Sequence, residues 1–176
     1  MDIKELAYKT DQVIEAWQQD IDNYTIEQLL RKPSADEWSL GQVYIHLWMS
    51  AKGFFFKNIQ RIADKDVSVV KGGRKNVLGY LVFLFKRLPR IKIKMPQQVA
   101  VEPMAPESKE LLHKRMDEVR SLVAEWAEKV SQLDSKDTTK HPLLGYLNAM
   151  EWYELCYLHF NHHLKQKKRI KKQLNL

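Results

Sequence analysis

The stretch "NAMEWYELCYLHFNHHLKQ", residues 148–166, contains neither Gly nor Pro and opens on Asn148, with Glu151 three residues later. That Asn-x-x-Glu order is a helix-start signature, because each side chain can satisfy a backbone N–H that the first turn leaves free. At about 100° per residue, Trp152, Leu155, Cys156, His159, His163, Gln166 and Ile170 fall on one arc. The pattern predicts a long amphipathic helix running into the basic tail, with its apolar stripe against a core. Two histidines, His159 and His163, occupy positions in that stripe, and His162 falls toward its edge.

Working outward, the rest of the chain has the same helical character. Residues 3–21 carry Leu6, Val13, Ile14, Trp17 and Ile21 at helical spacing. "TIEQ" (25–28) has capping-box form and opens a short helix that stops before Pro33. "SLGQ" (39–42) is a second capping box, opening a helix to about Asp64 with a stripe of Leu40, Val43, Leu47, Ala51, Phe54, Phe55 and Ile62. Residues 65–75 read as a loop, and "NVLGYLVFLFKRL" (76–88) as a very apolar helix flanked by basic residues. That helix is shorter than the ~20 apolar residues a membrane span needs. It is expected to bury against the bundle or another subunit, with an interfacial membrane position as the alternative. Residues 90–106 alternate and are punctuated by prolines, which suggests an extended crossover. Ser108 to Leu133 form the next long helix, and 134–146 the last loop. The expectation is an all-α fold: one domain over 1–176, a four-helix bundle with a long crossover connection and extra short helices.

Composition agrees. The 176 residues suffice for one ordinary core, apolar content is 44%, and Gly and Pro number six each. A single cysteine, Cys156, excludes an intrachain disulfide and suits a reducing compartment; with no basic-then-apolar leader in "MDIKELAYKT", a cytoplasmic location is expected. Lys and Arg exceed Asp and Glu by 29 to 22, a net charge of +7 compatible with nucleic acid, anionic lipid or small anionic substrates. Much of the surplus lies in the tail "KQKKRIKKQ" (165–173), read here as a solvated helix end. No recognition-helix signature accompanies it, and aromatics do not interleave with it as a stacking platform requires, so no specific nucleic-acid partner is expected.

Histidines four apart on a helix have Cβ atoms about 5–6 Å apart and can converge on one ion. Two neighbouring imidazoles in a core otherwise need hydrogen-bond partners and resist protonation. A shared cation usually requires a third protein ligand. His46 is the best candidate: it lies beside the apolar stripe of its helix, near Val43, Ser50 and Gly53. His113 sits among charged neighbours and is expected to face solvent; His141, before Pro142, suits a turn. Glu37, Glu151 and Glu154 lie in relevant segments, but capping or surface roles account for each equally well, so no general base is assigned. Trp48, Trp152 and Tyr153 either line a pocket or pack the core.

"EWSLGQVYIHL" (37–47) and "HPLLGYLNAMEWYELCYLHFNHH" (141–163) together resemble the DinB-like superfamily of bacterial metal-dependent proteins. The intervening "MPQQVAVEPMAPESKELLHKRMDEVRSLV" is similar to that family's crossover before its third bundle helix, and the likeness covers nearly the whole chain. The resemblance implies a four-helix bundle holding a divalent ion, commonly nickel or zinc, on three histidines from two helices. Matched residue by residue these are His46, His159 and His163, and His162 has no place in the motif. It further implies thiol S-transferase or hydrolase chemistry on a small-molecule substrate, with a low-molecular-weight thiol as cofactor; the positive charge suits an anionic thiol such as bacillithiol or glutathione, and a homodimer is expected. The departure from the family pattern is residues 65–89, whose Gly-Gly loop and apolar helix are expected to serve substrate shape or dimer contacts. Two other readings are a metal-binding bundle without turnover, for storage or sensing, and a basic helical module binding nucleic acid or lipid through its tail.

Overall fold

Three reciprocal capping boxes start three helices: Thr25 with Gln28, Ser39 with Gln42, and Asn148 with Glu151. In the computed structural model, which describes residues 2–89 and 102–176, the helices are α1 (Ile3–Asp20), α2 (Ile26–Leu30), α3 (Leu40–Ser50), α4 (Phe56–Ala63), α5 (Val77–Phe85), α6 (Lys109–Lys129) and α7 (Ala149–Leu174). The fold is mostly helical, a four-helix bundle with extra elements. In the bundle, α1 packs on α6 and α7, and the α3–α4 rod packs on the same two helices from the other side. The core between them includes Ile14, Trp17, Tyr44, Leu47, Ile59, Met116, Val119, Trp152, Tyr153 and Phe160, all with no exposed surface.

Two departures from the expected elements matter for function. Residues 40–64 are not one uninterrupted α-helix, because Ala51–Phe55 form a π-turn between α3 and α4. There the Phe56 N–H donates to the Ala51 carbonyl, and the buried Asn58 amide donates to the Phe54 carbonyl at 2.8 Å. One extra residue in the turn re-aims everything after it. The second departure is a small antiparallel sheet inside the two segments expected to be loops. Strands β1 (Val70–Lys71), β2 (Asp137–His141) and β3 (Gly145–Asn148) lie in that order, with Thr138 facing Asn148 and His141 facing Gly145. Gly145 has φ +84°, which an L side chain rarely adopts, so the short β2–β3 turn depends on glycine.

The α5 helix rests on this turn. A Cβ on Gly79 would lie 2.3 Å from the Leu144 carbonyl oxygen, so only glycine allows the approach. Most of the expected crossover lies outside the described residues. Its end is fixed: Gln42 donates to the Pro103 carbonyl at 2.8 Å, beside the start of α3. The basic tail is not simply solvated. Ile170 is fully buried, Lys167 reaches Asp20 at 3.0 Å while lying 4.4 Å from the Trp17 ring centre, and Arg169 pairs with Glu37 at 3.1 Å. A helix of this length is long enough to keep one face against α1 while its other face carries charge into water.

Candidate metal centre

His46 comes from α3; His159 and His163 come from consecutive turns of α7. Their Nε2 atoms converge. His159 Nε2 lies 3.2 Å from His46 Nε2 and 3.2 Å from His163 Nε2, and ligand atoms of all three lie within 4.8 Å of one another. An ion about 2.0–2.1 Å from two nitrogens at that spacing would subtend an angle of about 100°. This falls between octahedral and tetrahedral values. The two spacings about His159 are therefore compatible with a divalent ion between the rings.

The protonation states fit as well. Burial, reinforced by the neighbouring His162, lowers the His46 pKa to about 4. Burial and the nearby His46 lower that of His163 to about 3, against a small opposing effect of Gln166. His159 is pushed well below the ordinary value by burial and then by His163 and His46. All three imidazoles are thus neutral near pH 7, the state that can ligate a metal. Three neutral rings with lone pairs at one point repel one another, and a shared cation converts that repulsion into attraction.

Gln166 fixes the tautomer of His163. Its Oε1 accepts from His163 Nδ1–H at 2.6 Å, which leaves the Nε2 lone pair aimed at the cluster. His159 has no comparable support: part of the residue reaches solvent, yet its Nδ1 is enclosed and makes no hydrogen bond among the described residues. Aromatic rings form the walls. Trp38 stands 4.9 Å from His46 and Phe55 5.2 Å from His159, centroid to centroid. Phe54, presented by the same π-turn, contacts His141 and Trp152.

Other histidines and acids are placed elsewhere. His162 is half-buried, its ring 5.2 Å from that of His163, and its nitrogens are not part of the converging set. His113 is partly exposed and meets Asp22 at 3.0 Å. His141 takes the turn role: its Nδ1 accepts from the Leu143 and Leu144 N–H groups at 3.0 and 3.2 Å. It is also buried against Trp152 and Phe54, a position behind the site that its loop-like sequence did not suggest. Glu151 caps α7 and pairs with Lys75, Glu154 pairs with Lys86, and Glu37 pairs with Arg169. Among the described residues no carboxylate or thiol joins the cluster. Cys156 is fully buried, and burial raises its pKa far above neutrality.

Of the three aromatic candidates, Trp152 alone stands near the centre, packed between His141 and Phe54 with its Nε1 donating to Thr139 Oγ1 at 2.8 Å. Tyr153 is a core residue whose hydroxyl donates to the Val123 carbonyl at 2.8 Å. Trp48 faces α6 instead, donating to Glu118 at 2.9 Å with Arg115 stacked 3.9 Å from its ring centre. A shallow groove of about 370 Å³ near this tryptophan, lined by Lys52, Lys114, Glu118 and Leu122 among others, shares no residue with the histidine cluster.

Comparison with curated proteins gave no match. The sequence profile of the DinB superfamily matches residues 9–166, which include all three converging histidines, the whole of α3 and most of α7. The chain belongs to the DinB superfamily, a group of helical metal-binding proteins.

Proposed function

We propose that this protein is a metal-dependent enzyme in which His46, His159 and His163 hold a divalent ion, nickel or zinc, and a small-molecule substrate occupies the remaining coordination position. The observation that carries this reading is the convergence of three Nε2 atoms, at 3.2 Å spacings about His159, with no fourth protein ligand among the described residues. A closed structural site would use four protein ligands. An ion bound by three neutral imidazoles would supply Lewis acidity to a water or thiol.

The chain's own residues do the rest. Gln166 holds the His163 ring in its ligating tautomer. Phe55 and Trp38 press on His159 and His46, restricting water around the centre and limiting ring rotation. With no carboxylate in the cluster among the described residues, the charge of an ion there would favour an anionic reactant such as a thiolate. Thiol S-transfer is accordingly the first reading and hydrolysis the second. In S-transfer the thiol would lose its proton to solvent water, sulfur would bond to an electrophilic carbon, and the bond from that carbon to the leaving group would break, the leaving group departing with its electron pair.

The test is to load purified protein with nickel or zinc and measure metal content. Glutathione or bacillithiol is then offered with epoxide or alkyl-halide electrophiles, and ester substrates in parallel. Metal-dependent thioether formation is expected. Stoichiometric metal without turnover of thiol or ester substrates would favour storage or sensing and overturn the enzymatic reading.

A further inference from the structure

The helix α5 is apolar on every side, yet only half of it is covered. Gly79, packed against the β2–β3 turn, and Val82 are buried, while Val77, Tyr80, Leu81, Leu84 and Phe85 are 76%, 55%, 44%, 71% and 60% exposed. Their spacing places them on one face, so the exposed residues form a continuous stripe and not scattered surface positions. A helix hydrophobic all round is normally enclosed on all sides.

The charge around this stripe is one-sided. The described residues that flank and form α5, 67–89, contain five Lys or Arg and no Asp or Glu. At the ends of α5 stand Arg74 and Lys75 on one side and Lys86 and Arg87 on the other. Lys75 and Lys86 also neutralise Glu151 and Glu154, removing the acidic groups of α7 that would otherwise oppose an anionic surface.

We propose that the exposed face of α5 docks this protein onto the headgroup–acyl boundary of an anionic phospholipid bilayer. A nine-residue helix is about 14 Å long, too short to cross a bilayer and long enough to lie in its interface. The apolar stripe enters the acyl boundary, and the basic residues at the helix ends meet the phosphates. A second copy of the chain fits less well. A two-fold contact through α5 would bring two basic rims together. Five side chains also fall short of the ~800 Å² per partner that a specific interface buries.

Flotation of the full-length protein with vesicles of phosphatidylglycerol and phosphatidylcholine, against phosphatidylcholine alone, tests this. Wild-type protein should float with the anionic vesicles only. The double variants Leu84→Asp/Phe85→Asp and Arg74→Glu/Arg87→Glu should each weaken partitioning on the order of tenfold or more. Because these side chains are exposed, melting temperature and metal content should stay at wild-type values. In Tyr80→Trp protein, indole emission should shift to the blue when the anionic vesicles are added. The proposal is overturned if wild type fails to float. It is equally overturned if Leu84→Asp/Phe85→Asp floats as wild type does, which would indicate charge adsorption alone. Sedimentation showing a dimer that this variant dissociates, with no vesicle binding, would assign the face to a second copy.

Discussion

Gln166 is the residue whose removal most cleanly separates orientation of a ligand from ligation itself. Its Oε1 is 2.6 Å from His163 Nδ1, and the ring's other polar contact among the described residues is within the cluster, Nε2 to His159 Nε2 at 3.2 Å. In Gln166→Ala the ring can rotate and its other tautomer becomes accessible, so part of the apo population must reorganise before metal binds. Loss of such a supporting partner typically weakens metal affinity by about 10–100-fold, or roughly 1.4–2.7 kcal/mol. At a free metal concentration about 100 times the wild-type Kd, wild type gains about 2.7 kcal/mol of stability. A variant binding 100-fold more weakly gains only about 0.4 kcal/mol under the same conditions. For a protein of this size the difference corresponds to roughly 5–9 °C in the metal-induced rise of melting temperature.

Two assays read this: competition for zinc against a chromophoric chelator, and thermal unfolding with and without metal. Gln166→Glu is the informative companion, since its carboxylate also accepts from Nδ1–H and should retain affinity. If Gln166→Ala binds metal within twofold of wild type and keeps the full thermal increment, the orienting role is refuted. The comparison is valid when the apo forms melt within a few degrees of each other.

Other outcomes follow from the same geometry. His46→Ala, His159→Ala and His163→Ala should each lose most of the bound metal on dialysis, while His162→Ala keeps near-stoichiometric metal by elemental analysis; the reverse pattern for His162 and His159 would sink the assignment. Burial lowers the His141 pKa to about 4, so between pH 6.5 and 4 the unfolded chain takes up the proton first. Stability of the apo protein should therefore be full above pH 6.5 and fall toward pH 4, by as much as about 3 kcal/mol from this group, with His141→Gln showing a shallower loss in urea titrations across that range. Asp20 accepts from Tyr24 and Lys167 in a largely buried pair, so Asp20→Ala should lower stability by about 2–3 kcal/mol. Glu5→Ala, which removes an exposed i,i+4 pair with Lys9, should leave the urea midpoint almost unchanged.

The helices and the converging histidines were legible because both depend on local periodicity. Capping boxes at Thr25, Ser39 and Asn148 mark their helices through contacts three residues apart. The wheel of α7 places His159 and His163 on its core side without any knowledge of what faces them. The π-turn was not legible in this way. On an uninterrupted α wheel Phe56 lies roughly 160° from Leu40, on the far face, yet it is 2% exposed in the folded chain. The sheet was equally hidden: β1 has two residues, and β2 opens with Asp137, whose burial makes sense only with Lys65 beside it. Gln166 stood on the predicted arc, but an amide there carries no signal until a particular ring nitrogen is seen beside it. Lys167 and Lys171 looked like free cations because their partner, Asp20, is far away in the chain.

What sets the distance between His46 and His159 is a third helix that contributes no ligand. Trp17 on α1 donates its indole N–H to the Phe160 carbonyl at 3.3 Å, and its own carbonyl accepts from the Tyr44 hydroxyl at 2.8 Å. Phe160 directly follows His159, and Tyr44 is two residues before His46. One fully buried residue, through its indole and its backbone carbonyl, thus ties the backbone beside one histidine to the helix carrying another, and the Tyr44 ring packs edge-on against its indole at 5.1 Å. Metal–nitrogen bonds tolerate only a few tenths of an ångström, so a site assembled across two helices needs the spacing of those helices fixed independently of the ion. Trp17 supplies that constraint from the core. Lys167, held over the same indole by Asp20, extends it one turn beyond His163. The basic tail is in this sense part of the framework of the centre: its inward face holds α7 against α1, and its outward face carries the charge.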